Sequence, residues 1–294
     1  MNGLKITGYT AFLIMLLGAF LSAEVKSVHP GLLRTLTDRQ LIDAVKIQNC
    51  SPEELDCVLR ELSVRFAEFD SRLAAIARMY VGAPYCSDPL TDEKNNWLPY
   101  TKTNCTMLVL YAAALANSGS YEEALAHMRR LHYRNAAVDF TNRYHFTADR
   151  ITAPSNSYFS TITEQCVTRP EFLEQVTVTL NKKKDGTSFF GGRLDNWSRT
   201  LSIHYVARAG FSPGMLENLP NVAGIAFVKK SNWKLGIIVG HEGLLIDGDL
   251  YHSSLNGGVR IVENYLSAAF PSTRWDGILF FTLNKVPPAL VPEN

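Results

Sequence analysis

The chain has 294 residues, 46% hydrophobic and 19% charged, with a formal net charge of +1 at pH 7. That length supports a large buried core in one or two domains. The near-neutral balance gives no basis for a nucleic-acid partner, since the only basic run, Lys182 to Lys184, is followed at once by Asp185 and Gly186 and reads as a solvated turn.

The first 23 residues stand apart. One lysine precedes the apolar run ITGYTAFLIMLLGAF, and small residues lead to Ala23. The run is short for a membrane span and has the plan of a secretory signal peptide cleaved after Ala23. An uncleaved anchor is the alternative; with cleavage, no stable membrane span remains. The expected location is outside the cytoplasm, in a periplasm or beyond the cell. An oxidising compartment bears on the five cysteines, Cys50, Cys57, Cys86, Cys105 and Cys166. The favoured pairing among three is Cys50 with Cys57 and Cys86 with Cys166, which leaves Cys105 as the free thiol.

A short helix is expected over Thr37 to Gln48. The next begins at Ser51, with Pro52 in its first turn and Glu54 closing a capping box. Leu55, Val58, Leu59 and Leu62 repeat at helical spacing, so this helix lays one face on a core. Another runs to about Tyr80. The polar, Pro-rich stretch from Gly82 delivers the chain to Asn104. Cys105 then heads CTMLVLYAAALA, which reads as a buried helix. Ser120 and Glu123 form a capping box for the helix that follows. Residues from Arg134 to about Pro170 read as irregular. They place Tyr-, Arg- and His-bearing segments close together: Arg143, His145, Asp149 and Arg150 could line a cleft or form a salt-bridged surface.

The second half changes character. VTVTL (176–180), SIHYVA (202–207), GIAFV (224–228), KLGIIV (234–239), GLLID (243–247) and DGILFFTL (276–283) are strand-like and are punctuated by turns such as DG and NGG. Helices first and a meandering sheet later is an α+β layout. There is no internal repeat or low-complexity segment. The expected organisation is a signal peptide over 1–23, a helical lead-in over 24–79, and one domain over 80–294.

A cysteine on the first turn of a buried helix faces unpaired backbone N–H groups and the positive end of the dipole, both of which favour thiolate. The alternative is a small buried residue that only packs. A thiol nucleophile needs a base, and the base needs a group to orient it. Of seven histidines, His29, His127 and His132 read as solvated, while His145 and His204 are candidates. The informative pair is His241 and His252 in GHEGLLIDGDLYHSS, where a hairpin turning at Asp247-Gly248-Asp249 can bring both imidazoles side by side. Histidines at strand ends can also be structural or bind metal. The separation of 136 positions from Cys105 to His241 falls in the range of about 130–150 known for papain-type enzymes.

The ordered combination of GAPY (82–85), NCTMLVLYAAALA, GIAFV, HEGLLIDG and LYHSS resembles the N-acetylmuramoyl-L-alanine amidase-like family, within the NlpC superfamily of papain-like cell-wall hydrolases. The family pattern is Asp-Cys at a helix start, His-Val-Gly opening a strand, and His-Ala-Ser on the next. The resemblance implies a papain-like fold with the nucleophile helix packed on an antiparallel sheet. It also implies Cys105 as nucleophile, His241 as general base and His252 as its orienting partner, with no metal or cofactor. Tyr85, Arg143, His145 and Asp149 are candidates for substrate binding. Four positions depart from the pattern: Asn104 for Asp, Glu242 for Val, Ala223-Gly224 for Gly-Asp, and Ser253 for Ala. The implied chemistry is acyl transfer on a peptidoglycan or muropeptide amide, by an amidase or a stem-peptide endopeptidase. Two rivals remain: a silent peptidoglycan-binding protein of the same fold, and a zinc site made of Cys105, His241 and His252.

Overall fold

A computed structural model describes residues 28–287 apart from 210, 217, 271 and 272, so the stretch read as an export signal lies outside the described residues. The helix starts stand where the caps are. Thr37 and Ser51 each form a reciprocal capping box, with Gln40 and Glu54 respectively, opening α1 (Asp38–Ala44) and α2 (Pro52–Arg65). α3 (Phe69–Met79) follows. Asn104 caps α4 (Cys105–Ala116), its Oδ1 accepting from the Met107 N–H at 2.9 Å. Ser120 caps α5 (Tyr121–His132), but Glu123 reaches back to the N–H of Gly119 rather than Ser120, so the expected reciprocal box is displaced by one residue.

α4 is buried on every side from Met107 to Ala116, which is why its sequence is apolar all round and not along one stripe. It lies between α3 and α5 on its outer side and the sheet on its inner side. The segment read as irregular contains a further helix, α6 (Thr147–Thr152), and a short strand, β1 (Phe159–Thr161).

The sheet is antiparallel throughout. Seven strands run in the order β2 (Leu173–Leu180), β3 (Arg199–Ala207), β8 (Gly277–Leu283), β4 (Val222–Val228), β5 (Val239–Ile246), β6 (Asp249–Ser254), β7 (Gly258–Val262), with β1 also on β8. Alternation sorts its side chains into two cores. Ala226, Val228, Leu244, Ile246, Leu279 and Phe281 join the helices. Ile225, Phe227, Leu245, Leu250, Ile278 and Phe280 face the other way, under Met215, Tyr265 and Phe270. Gly224 is required where it stands: a Cβ there would lie 2.0 Å from the Phe281 ring. An α+β architecture with the cysteine helix on an antiparallel sheet is therefore what the chain adopts.

Three expectations need correction. KLGIIV is not a strand: Lys230–Leu235 coil into a 3-10 turn ended by Gly236 at φ 73, and β5 starts only at Val239. His127 and His132 are buried, not solvated; His127 bonds the Tyr158 hydroxyl at 2.7 Å. All five cysteines are free thiols. Cys50 donates to the Lys46 carbonyl in the helical core, whereas Cys166 donates to the Asn218 carbonyl in the core on the far side of the sheet.

Candidate active site

The position of Cys105 follows from a splayed edge. β5 and β6 are joined by the two-residue turn Asp247-Gly248, both at positive φ, and pair only from Ile246–Asp249 back to Leu244–Tyr251. Beyond that point β5 has no β6 partner. The Glu242 backbone on this stretch and Thr106, next along α4, both lie close enough to the Cys105 sulfur to lower its pKa. Gly243 keeps the gap passable, since a Cβ there would stand 2.6 Å from the Tyr251 carbonyl and 3.2 Å from the Cβ of His252. Cys105, Thr106, His145, Phe190, His241 and Glu242 border one cavity of about 190 Å³.

The thiol is not the activated thiolate that a helix start alone suggests. Burial, then the Glu242 carboxylate, push its pKa up to about 11; the Glu242 backbone and Thr106 act in the opposite direction and are outweighed. Desolvation is the larger effect, and a helix N-terminus offsets only about 0.3–1 kcal/mol of it.

His241 and His252 meet as the hairpin predicts, with Nε2 of His241 2.8 Å from Nδ1 of His252. On the far side of His252, Arg260 on β7 donates from Nε to Nε2 at 3.2 Å. Trp275 lies parallel to the His241 ring, 5.8 Å away at 3°, and Phe227 packs on it as well. Burial draws both pKa values down to about 4, assisted for His241 by Arg274 and Arg260 and for His252 by His241 and Arg260. At neutral pH the site holds a thiol and two uncharged imidazoles.

Glu242 points to the helix side of β5 and is fully enclosed. Its Oε2 accepts from Arg150 Nη2 at 2.5 Å and its Oε1 from the Thr147 hydroxyl at 2.8 Å. Arg150 itself is 0% exposed. This carboxylate beside the thiol escaped the sequence reading, because its partner lies 92 residues away on α6.

The four candidate substrate residues separate. Burial, then the nearby Cys105 and Cys86 thiols, hold the Tyr85 phenol pKa up. His145 borders the Cys105 cavity and, with Arg143, an adjoining one of about 350 Å³. Arg143 is tied by Glu93 at 2.5 Å and the Leu90 carbonyl at 3.0 Å. Asp149 borders neither cavity; it is 2% exposed and clamped between Arg134 and Arg199. Of the two readings for this group, the ion-paired one describes Asp149 and the cleft describes His145.

A zinc ion would need the ring nitrogens of His241 and His252 to converge on it, whereas they point at each other. Among the described residues no group of three or more His, Cys, Asp or Glu side chains is placed to hold a metal ion. Nor is any helix among them long and apolar enough to cross a membrane.

The sequence profile of the N-acetylmuramoyl-L-alanine amidase-like family matches residues 75–269. No curated protein matches the chain. Several crystal structures resemble it. One is a protein from Legionella pneumophila, with a TM-score of 0.62 at 17% identity over 81% of this chain and 97% of that one. Another is an N-acetylmuramoyl-L-alanine amidase from Bacteroides uniformis, with a TM-score of 0.59 at 19% identity over 74% of this chain and 99% of that one. At such identities the likeness is one of fold.

Proposed function

The chain belongs to the N-acetylmuramoyl-L-alanine amidase-like family, and from that premise we propose that it is an exported cysteine hydrolase, of the papain-like NlpC superfamily, cleaving an amide bond in peptidoglycan or its fragments. The family points to amide bonds of the cell wall. The cysteine mechanism is carried by one observation: Cys105 and His241 border the same cavity while His241 is hydrogen-bonded to His252. We read residues 24–79 as a helical lead-in and 80–294 as the hydrolase domain.

In this mechanism the Cys105 sulfur attacks the amide carbonyl and its proton passes to His241. His241 returns that proton to the leaving amine, and water then cleaves the thioester. His252 orients the base. The Cys105 backbone N–H, at the start of α4, is proposed to meet the oxyanion. His145 borders the cavity, and both it and Tyr85 are proposed to contact substrate. Arg143 is proposed to hold the wall of the adjoining cavity, and Asp149 to hold α6 in place.

The test is mass spectrometry of muropeptides digested by the wild type and by Cys105→Ala. New peptide or sugar termini with the wild type alone are expected. Identical profiles from the two would sink the hydrolase. Glu242 favours a second reading, a silent peptidoglycan-binding protein, because its carboxylate opposes thiolate formation. Wild type that binds sacculi without releasing any fragment would select it.

A further inference from the structure

The hydrogen-bond chain through the histidine pair carries information about protons. A guanidinium only donates. With Arg260 Nε 3.2 Å from His252 Nε2, that ring nitrogen must present a lone pair, so neutral His252 carries its proton on Nδ1. Nδ1 lies 2.8 Å from His241 Nε2 and therefore donates to it. His241, neutral in turn, is protonated on Nδ1, the nitrogen that His252 leaves unengaged. With Nε2 taken up by His252 and Nδ1 already bearing a proton, the ring has no lone pair to offer the thiol.

We propose that Arg260 is a positioning residue that latches the histidine pair in a resting tautomer, and that the latch must open before His241 can act. This rests on the hydrolase reading of the same site. Opening requires only that the Arg260–His252 bond break, and Arg260 is exposed and forms no ion pair among the described residues. Once it breaks, His252 Nε2 gains a proton from solvent and the Nδ1 proton of His252 passes to His241 Nε2. His241 Nδ1 then gives its proton to solvent, so the pair keeps two protons in all. In that state Nε2 of His241 donates to His252 and Nδ1 is free to receive the thiol proton.

The other charged and titratable groups facing the pair are fixed or uncharged. Arg274 bears on His241 from the stretch before β8. Glu242 is held by Arg150 on the helix side of β5. Cys105 approaches from α4, and His145, its Nε2 bonded to the Phe140 carbonyl, lies across the cavity. None of these offers His252 Nε2 an acceptor, so Arg260 decides which tautomer rests.

Nitrogen-15 NMR of imidazole-labelled protein reads the tautomers directly, without substrate. The wild type should show protons on Nδ1 of both His241 and His252. Arg260→Gln, whose amide can accept as well as donate, should move the His241 proton to Nε2. Alkylation of Cys105 by iodoacetamide at neutral pH should then rise about tenfold, the equivalent of one pKa unit. Arg260→Lys keeps a donor and should retain the wild-type pattern. A wild type already protonated on His241 Nε2, or tautomers and alkylation rate unchanged in Arg260→Gln, would overturn the latch. Tautomers that shift as expected, with muropeptide digests unaffected by Cys105→Ala, would uphold the latch and overturn the hydrolase.

Discussion

Two polar groupings are buried side by side, and they follow opposite rules. Around Asp149 the groups are charged and ion-paired: Arg134 and Arg199 share its two oxygens, and nearby Arg143 is paired to Glu93. Cys105, His241 and His252 are themselves uncharged, with the thiol pushed up by burial and the Glu242 carboxylate and both imidazoles pulled down chiefly by burial. A matched pair has no reason to change its protonation within the physiological range. A buried neutral group sits one proton away from a different state, which is the condition acid–base chemistry needs. Arg150 joins the two regions. It lies on α6 beside Asp149, yet its partner Glu242 is the residue after His241.

Breaking that join gives the largest effect. Arg150→Met leaves Glu242 buried without its cation, and removing one member of a buried pair costs about 3–5 kcal/mol. Urea unfolding of the variant should register that loss, and the double variant Arg150→Met/Glu242→Gln should recover most of it. A single variant within about 1 kcal/mol of wild type would mean that the carboxylate protonates instead of staying charged.

His252→Ala sharpens the contrast from the chemical side. Under the proposed mechanism it should lower kcat/KM about a hundredfold or more, while moving the urea midpoint little. Asp149→Asn should do the reverse, destabilising the fold while leaving kcat/KM per folded molecule near wild type. Equal losses of activity in both variants would erase the distinction between the two regions.

The buried histidines of the helical core extend it to pH. His127 is drawn down to about 4, and His132 well below its ordinary 6.5, in both cases chiefly by burial. Above that ordinary value, folded and unfolded chains both hold these rings neutral and no stability depends on them. As pH falls from 6.5 towards 4, the unfolded chain binds protons that the folded one refuses, so stability declines across that window. His127→Gln, measured by unfolding at neutral pH and at about pH 5, should lose about 1–2 kcal/mol less between the two than wild type. An unchanged difference would place the acid sensitivity elsewhere.

How much of this could be read in advance depends on the reach of each interaction. Ser51 with Glu54, Asn104 with Met107 and the Asp247-Gly248 turn act over three residues or fewer, so their residue types announce them. The His241–His252 contact followed from that turn, because a two-residue loop fixes the register of both strands. Arg260 lay one strand beyond the hairpin, where nothing local ties it to His252. Glu242 read only as a departure from a family pattern. The protonation state of Cys105 was misjudged for a related reason: the helix start is visible in sequence, but the burial that outweighs it is a property of the assembled core.

Asn104 offers the smallest effect and the most direct view of the balance at the thiol. Its Oδ1 caps α4, and its Nδ2 donates to the Ser87 carbonyl at 3.1 Å, holding the preceding loop against the helix start. Asn104→Ala removes both and should cost about 1 kcal/mol in thermal or urea unfolding. Asn104→Asp keeps the cap and places there the residue of the family pattern. Near a helix N-terminus a carboxylate is itself favourable, so stability should hold despite the lost bond to Ser87. Its charge, one residue from Cys105, should nonetheless slow iodoacetamide labelling at neutral pH below the wild-type rate. Faster labelling would mean that the cap carboxylate draws a proton from the thiol rather than repelling the thiolate, and the neutral resting site would have to be abandoned.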